Sequence, residues 1–229
     1  MREDDFEAIA HAKTSLLQGV PPEKRHKVLA CMNAKLIHFE KGSSLSNNWD
    51  APLGTIYLLK GHVRIDCLSA SGDRSILFDY FNDMPIMTCN VPKIFSSDDV
   101  RIIALEDCTV ISFDFSQEAE NRTCCMKYIN TVRKNIVCRL NLVNSLFLHR
   151  IDILSRRTIR SKIASYLTVL AQYKQSNTFE IQMTRQELAD YLCVERSALS
   201  REIGKMKHEE LIDCVKGHFR IKKDLSSFI

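Results

Sequence analysis

Hydrophobic and polar positions change period repeatedly along the chain. Up to about residue 33 they follow a helical period. Pro21-Pro22-Glu23 reads as a helix start, since proline is tolerated in a first turn, and Val28, Leu29 and Met32 continue one stripe. From Ala34 to about Phe115 the period shortens. Strands are predicted at Leu36–Phe39, Thr55–Leu59, His62–Cys67, Ile76–Phe81, Val100–Leu105 and Cys108–Phe113. Turn residues such as Lys60-Gly61, Ser69–Asp73 and Glu106-Asp107 separate them. Short strands with regular turns imply an antiparallel sandwich or barrel. From Ser116 to Leu148 the helical period returns, with Ile129, Val132, Ile136, Leu140, Val143 and Phe147 at spacings of three and four. Such a seam needs a partner surface, and a second copy of the chain is the expected one.

The last third is again mostly helical. His149–Leu154 reads as a hinge, and Ser155 or Thr158 can start a helix that buries Ile159, Ile163, Leu167 and Leu170. A loop at Gln175–Asn177 leads to a strand over Thr178–Met183. Thr184 and Glu187 then make the T-x-x-E box of a helix start. Leu188, Ala189 and Leu192 form the apolar stripe of that helix, and Cys193-Val194 breaks it. In the following helix Leu199, Ile203 and Met206 face the core, so Arg196, Ser197, Ser200 and Arg201 share another face. Leu211–Val215, Lys216-Gly217-His218 and Phe219–Ile221 complete a hairpin with a basic tip. Arginine can fork onto guanine O6/N7 or phosphate, and serine bonds bases or phosphates. Two helices across a short turn, with a hairpin wing, are the parts of a helix-turn-helix DNA reader.

Charge supports that reading. The formal net charge is +4, but residues 149–229 hold 15 Lys and Arg against 10 Asp and Glu, while residues 1–148 carry a balance of −1. The basic excess therefore accompanies the reader, as phosphate attraction requires. At 229 residues the chain has room for one large or two modest domains, and its 45% hydrophobic and 26% charged content is that of a soluble globular protein. No apolar stretch reaches the roughly 20 residues of a membrane span, and the acidic start Met1-Arg-Glu-Asp-Asp is no secretion signal. Nine dispersed cysteines without a C-x-x-C fit a reducing cytoplasm. They define neither a disulfide framework, a zinc site nor an iron–sulfur cluster. Cys124-Cys125 is the one adjacent pair, and a disulfide between helical neighbours would be strained.

The order of parts resembles the CRP/FNR family of bacterial transcription regulators over nearly the whole length. The match is most specific over Thr184–Arg201, with Glu209-Glu210-Leu211-Ile212 after it, and weaker around Leu58-Leu59-Lys60-Gly61. The resemblance implies an α+β fold in three parts. Residues 1–115 would be an N-terminal antiparallel β-barrel of jelly-roll, cyclic-nucleotide-binding-like type that senses an effector. Residues 116–148 would be a long dimerisation helix, and residues 149–229 a C-terminal winged helix-turn-helix. It further implies a cytoplasmic homodimer on a palindromic operator in double-stranded DNA, a small effector, RNA polymerase as a further partner, and no membrane. Arg196, Ser197, Ser200 and Arg201 are expected at bases and nearby phosphates. Thr184, Arg185, Gln186, Lys216 and His218 are expected at the DNA backbone.

Departures from the family pattern carry their own expectations. Ser197 stands where many members have a glutamate that accepts a bond from cytosine. Cys193 replaces a turn glycine, which suits a turn without positive φ. The Gly-Glu and Arg-Ser segments of cyclic-nucleotide binders read here as Phe81–Pro85 and Ser96–Asp99, and the carboxylates of the second would repel a phosphate. Cyclic AMP is therefore not the expected effector, and no cofactor is named. Two other readings compete. One is a thiol redox sensor using Cys124 or Cys125. The other is a barrel enzyme with a winged-helix appendage, against which stand the missing Pro-Cys-His-Arg run, metal-ligand set and phosphate loop.

Overall fold

The computed structural model describes residues 14–45, 55–68, 74–86, 100–113 and 125–229. The chain divides into two compact units, Met1–Leu68 with Leu77–Asn144, and Ser69–Ile76 with Ser145–Ile229.

In the first unit the described part of the N-terminal helical region is two pieces. Thr14 caps a short 3-10 turn, Ser15–Leu17, and Gly19 at φ +79° separates it from α1, Pro22–Cys31. Asn33, at φ 49°, ends α1, and the amide of Ala34 reaches back to Leu29 O at 3.1 Å. That is a left-handed cap of the kind glycine or asparagine favours.

Seven strands follow: β1 Lys35–Phe39, β2 Thr55–Lys60, β3 Val63–Leu68, β4 Arg74–Tyr80, β5 Met84–Ile86, β6 Val100–Ala104 and β7 Cys108–Phe113. They form two sheets, ordered β1-β7-β2-β5 and β4-β3-β6. Every pairing with a resolved register is antiparallel. The described residues thus make a jelly-roll-like pair of sheets and not a closed barrel. Gly61 lets the chain pass from β2 into the other sheet. Its φ is +120°, and a Cβ there would lie 2.5 Å from Cys108 Sγ and 2.9 Å from Cys108 Cα.

The alternation His62-Val63-Arg64-Ile65-Asp66 would send its polar members to solvent. Instead Arg64 and Asp66 are fully buried. Arg64 donates to Asp79 at 2.7 and 3.0 Å, Arg101 donates to Asp66 at 2.9 and 3.1 Å, and His62 Nε2 lies 3.5 Å from Asp79. Burial pushes the Asp79 carboxyl up, but the bonds from His62 and Arg64 together hold it below its ordinary range.

The long helix, α2, runs from Met126 to Ser155. Two expectations about it are corrected. The stretch 149–154, expected as a break between helices, is itself helical, since α2 continues unbroken through it and stops at Ser155. Nor is the first half of the seam, Ile129, Val132 and Ile136, left for a partner copy. Those three residues sit in one core with Leu16, Leu17, Val28, Leu29, Tyr57 and Phe113 of the same chain. The side-chain amide of Asn135 fastens α2 to Leu16 O and Gln18 O at 3.0 and 2.8 Å.

Asp83 is a second fastening. It sits in the turn before β5 at φ 65°. Its carboxylate accepts from the Thr14 hydroxyl, from Ser15 N at 3.0 Å and from the Tyr57 hydroxyl at 2.9 Å. Arg139 of α2 reaches the same residue. This is the segment expected in place of a nucleotide-binding Gly-Glu. The other, Ser96–Asp99, lies outside the described residues.

The second unit holds α3 Ile159–Lys174, β8 Thr178–Glu180, α4 Arg185–Leu192, α5 Arg196–His208, β9 Ile212–Val215 and β10 His218–Ile221. Thr158 starts α3 through a reciprocal cap with Ser161. Strand β8 is shorter than the predicted Thr178–Met183 and pairs with β10, giving the order β8-β10-β9. Ile163, Leu167, Leu188, Leu192, Leu199, Ile203, Met206 and Phe219 share one core.

Candidate nucleic-acid interface

Local chemistry determines where each helix of the reader begins. Thr184 Oγ accepts the Glu187 amide at 3.2 Å, and the Glu187 carboxylate accepts the Thr184 amide at 2.8 Å, so the predicted box caps α4. Leu188, Ala189 and Leu192 are buried, as the stripe requires. Cys193 ends the helix in the left-handed region, at φ 50°. The turn does use positive φ, so the cysteine occupies a glycine conformation at a cost of about 1–2 kcal/mol.

Glu195 caps α5, a residue the sequence reading passed over. Its carboxylate accepts the amides of Ser197 and Ala198 at 3.0 and 2.8 Å, and the Ser197 hydroxyl also donates to it. Those bonds, the Ser197 hydroxyl foremost, hold the Glu195 carboxyl below its ordinary range. A glutamate right before an amphipathic helix could have been read as its cap, because acidic groups favour helix N-termini.

Along α5 the two faces separate cleanly. Leu199, Ile203 and Met206 are buried, while Arg196, Ser197, Ser200 and Arg201 are exposed. Two clamps hold the helix. Arg160 of α3 donates to Glu202 at 2.5 Å and to Glu209 at 2.6 and 2.7 Å. Lys207 reaches Cys214 O at 3.0 Å and Asp213 at 3.3 Å, which ties α5 to β9. No sequence motif marks these pairs, since Arg160 and Glu209 meet only through the packing of α3 on α5.

The five residues expected at the DNA backbone are placed differently from one another. Lys216 and His218 are exposed on the wing. Its tip, Lys216-Gly217, has φ of 46° and 86°, the two-residue turn whose twist suits a hairpin. Thr184 is exposed but uses its hydroxyl as the cap, and Gln186 bonds Asp190 at 2.8 Å. Arg185 turns inward: its guanidinium lies 5.8 Å from the Phe219 ring centroid and donates to Cys214 Sγ at 3.5 Å. Its Nη1 is buried without a hydrogen-bond partner. Arg185 lines an open cleft of about 510 Å³ with Thr184, Lys216, Gly217 and Phe219.

The sites of the competing readings are sparse. Among the described residues no group of His, Cys, Asp or Glu side chains is placed to hold a metal ion. Cys125 is buried, and Cys124 lies outside the described residues. No helix among the described residues is long and apolar enough to cross a membrane.

A capped two-helix reader with a hairpin wing, in one chain with paired antiparallel sheets and a long helix, defines a DNA-binding transcription regulator. Residues 161–224 match the model of the Crp-like helix-turn-helix domain. The nitrogen fixation regulation protein FixK of Bradyrhizobium diazoefficiens is 25% identical over 189 residues, 79% of this chain and 75% of that protein. A CooA variant from Carboxydothermus hydrogenoformans has the same fold, with a TM-score of 0.65 and 18% identity across 87% of this chain and 88% of its own. FixK2 from Bradyrhizobium japonicum gives 0.59 and 16% across 85% and 96%. Residues 161–224 thus form a Crp-like helix-turn-helix domain, and the chain over most of its length is similar to transcription regulators of the CRP/FNR family.

Proposed function

We propose that the chain regulates transcription as a cytoplasmic homodimer on a palindromic operator. In this reading Arg196, Ser197, Ser200 and Arg201 of each copy enter the major groove. Thr184, Gln186, Lys216 and His218 approach the phosphates, with Arg185 supporting the wing from behind. The observation that carries the reading is the exposed Arg196–Arg201 face of α5, opposite a buried Leu199–Ile203–Met206 stripe. Titration of a labelled operator fragment with wild type and Arg201→Ala tests it. A guanidinium on guanine contributes discrimination of about 1–3 kcal/mol. Equal affinity and equal sequence preference in the two proteins would refute the assignment.

The dimer surface we propose is a second face of α2. Asn130, Lys134, Val137, Asn141, Asn144, Leu148 and Ile151 recur at alternating spacings of four and three, and all seven are exposed. That is a heptad seam, and asparagine within such a seam specifies register at a cost in stability. Residues 1–115 would sense an effector, 116–148 form the dimer helix and 149–229 bind DNA, with RNA polymerase as a further partner. The effector is a small molecule other than cyclic AMP, since Asp83 is committed to Thr14, Ser15, Tyr57 and Arg139. Saturable binding of cyclic AMP in calorimetry would overturn that exclusion.

A further inference from the structure

We propose that Glu195 turns Ser197 into an acceptor-only reader, so that the pair selects adenine or cytosine at one position of each half-site. The inference rests on the reading of α5 as the DNA-contacting helix and adds a residue to its specificity.

A serine hydroxyl has one proton and two lone pairs, so by itself it can serve either kind of base edge. In this chain the choice is made before DNA arrives. The Ser197 hydroxyl donates to Glu195, while the Ser197 amide donates to the other oxygen of the same carboxylate at 3.0 Å. The Ala198 amide, at 2.8 Å, holds the carboxylate from a third direction. Backbone bonds at a helix start are part of the fold, so Glu195 is anchored and its hold on the hydroxyl is preorganised. What Ser197 offers outward is oxygen lone pairs. In the major groove only the amino groups of adenine N6 and cytosine N4 donate, whereas guanine N7 and O6 and thymine O4 accept. Guanine and thymine would meet lone pair with lone pair. Ser197 is exposed in the first turn of α5, one turn before exposed Ser200 and Arg201, where a recognition helix meets bases. A carboxylate two residues before the reading position thus does through a hydroxyl what a carboxylate at that position would do directly. Ser197 touches the base, and Glu195 acts as a positioning residue.

The test is selection of bound fragments from a randomised DNA pool, sequenced for wild type, Arg201→Ala, Ser197→Ala and Glu195→Thr. Threonine keeps the helix cap but leaves the Ser197 proton free to rotate; circular dichroism verifies the fold of each variant. Wild type is expected to show one position per half-site restricted to adenine or cytosine. Ser197→Ala should lose about tenfold of that discrimination at this position alone. Glu195→Thr should admit guanine and thymine there while every other position keeps its preference. A Ser197→Ala or Glu195→Thr motif identical to wild type, while Arg201→Ala loses its own position, overturns this proposal and leaves the regulator reading intact. A wild type that selects no motif overturns both.

Discussion

Arg139 grips Asp83 through three hydrogen bonds: Nε–H and Nη2–H donate to the Asp83 carbonyl at 2.8 and 2.5 Å, and Nη2–H also donates to the carboxylate at 3.1 Å. The turn before β5 is thereby fixed to the long helix. Burial pushes the Asp83 carboxyl up, but hydrogen bonds from Thr14, Ser15 and Tyr57 outweigh it and hold the group below its ordinary range. Burial also pushes the Tyr57 phenol up to about 12, with Asp83 adding to the rise against the Ser15 bond. The phenol therefore remains a donor across the physiological range.

Asp83 gives a pH prediction. Its native carboxyl sits below its unfolded value, so the unfolded chain binds more protons in acid. The stabilisation is complete above the unfolded pKa near 4 and is lost as pH falls through the native value. Asp83→Asn should cost roughly 1.5–3 kcal/mol at pH 7, the range for a bond to a charged group. Urea unfolding from pH 7 down to pH 2 should show the gap between variant and wild type closing in the acid range. A constant gap would contradict this account.

The buried ion pair predicts a larger loss. Asp79→Ala leaves the fully buried Arg64 guanidinium without the carboxylate it forks onto. Removing one partner of such a pair costs about 3–5 kcal/mol. Thermal unfolding should show it, and a midpoint close to wild type would mean that Arg64 finds compensation elsewhere.

Arg160 clamps α5 through Glu202 and Glu209, so Arg160→Ala should weaken DNA binding by loosening the helix that carries the reader. Affinity should fall about tenfold, on the order of 1.4 kcal/mol, with the preferred sequence unchanged. Fluorescence anisotropy on the operator and on a mismatched fragment separates the two effects. Altered base preference would show that Arg160 is itself a reader.

The turn at Cys193 can be improved. Glycine adopts φ 50° without steric cost, so Cys193→Gly should raise stability by up to about 1 kcal/mol, while β-branched Cys193→Val should lower it. Urea midpoints of the two variants on either side of wild type are the expected result.

Two faces of α2 predict opposite outcomes. Val137 is 54% exposed and Val132 is 0% exposed. Val137→Arg should leave the fold intact and shift sedimentation toward the monomer, whereas Val132→Arg should destabilise the chain itself. A dimer unaffected by Val137→Arg would place the partner surface elsewhere.

The reader was legible because its signals are local. Thr184 and Glu187 are three residues apart, Leu199, Ile203 and Met206 lie on one helix, and each does in space what its spacing says. Six of the seven strands were legible for the same reason; β5, three residues long with Pro85 at its centre, was not. The charge pairs were not, because Arg64 meets Asp79 and Arg160 meets Glu209 only after distant segments pack. Alternation alone gives Arg64 no reason to be inside. The α2 seam misled for a related reason: periodicity shows that a helix has an apolar side, but not which body covers it. Cys193 shows the limit at a single residue, since backbone geometry there overrode side-chain preference.

The seven positions of the proposed dimer seam on α2 include three asparagines and a lysine and only three apolar side chains. Two copies joined along so polar a line would part readily on dilution. Occupancy of a two-fold operator would then rise with the square of the protein's abundance, and the amount of protein in the cell would itself become a signal.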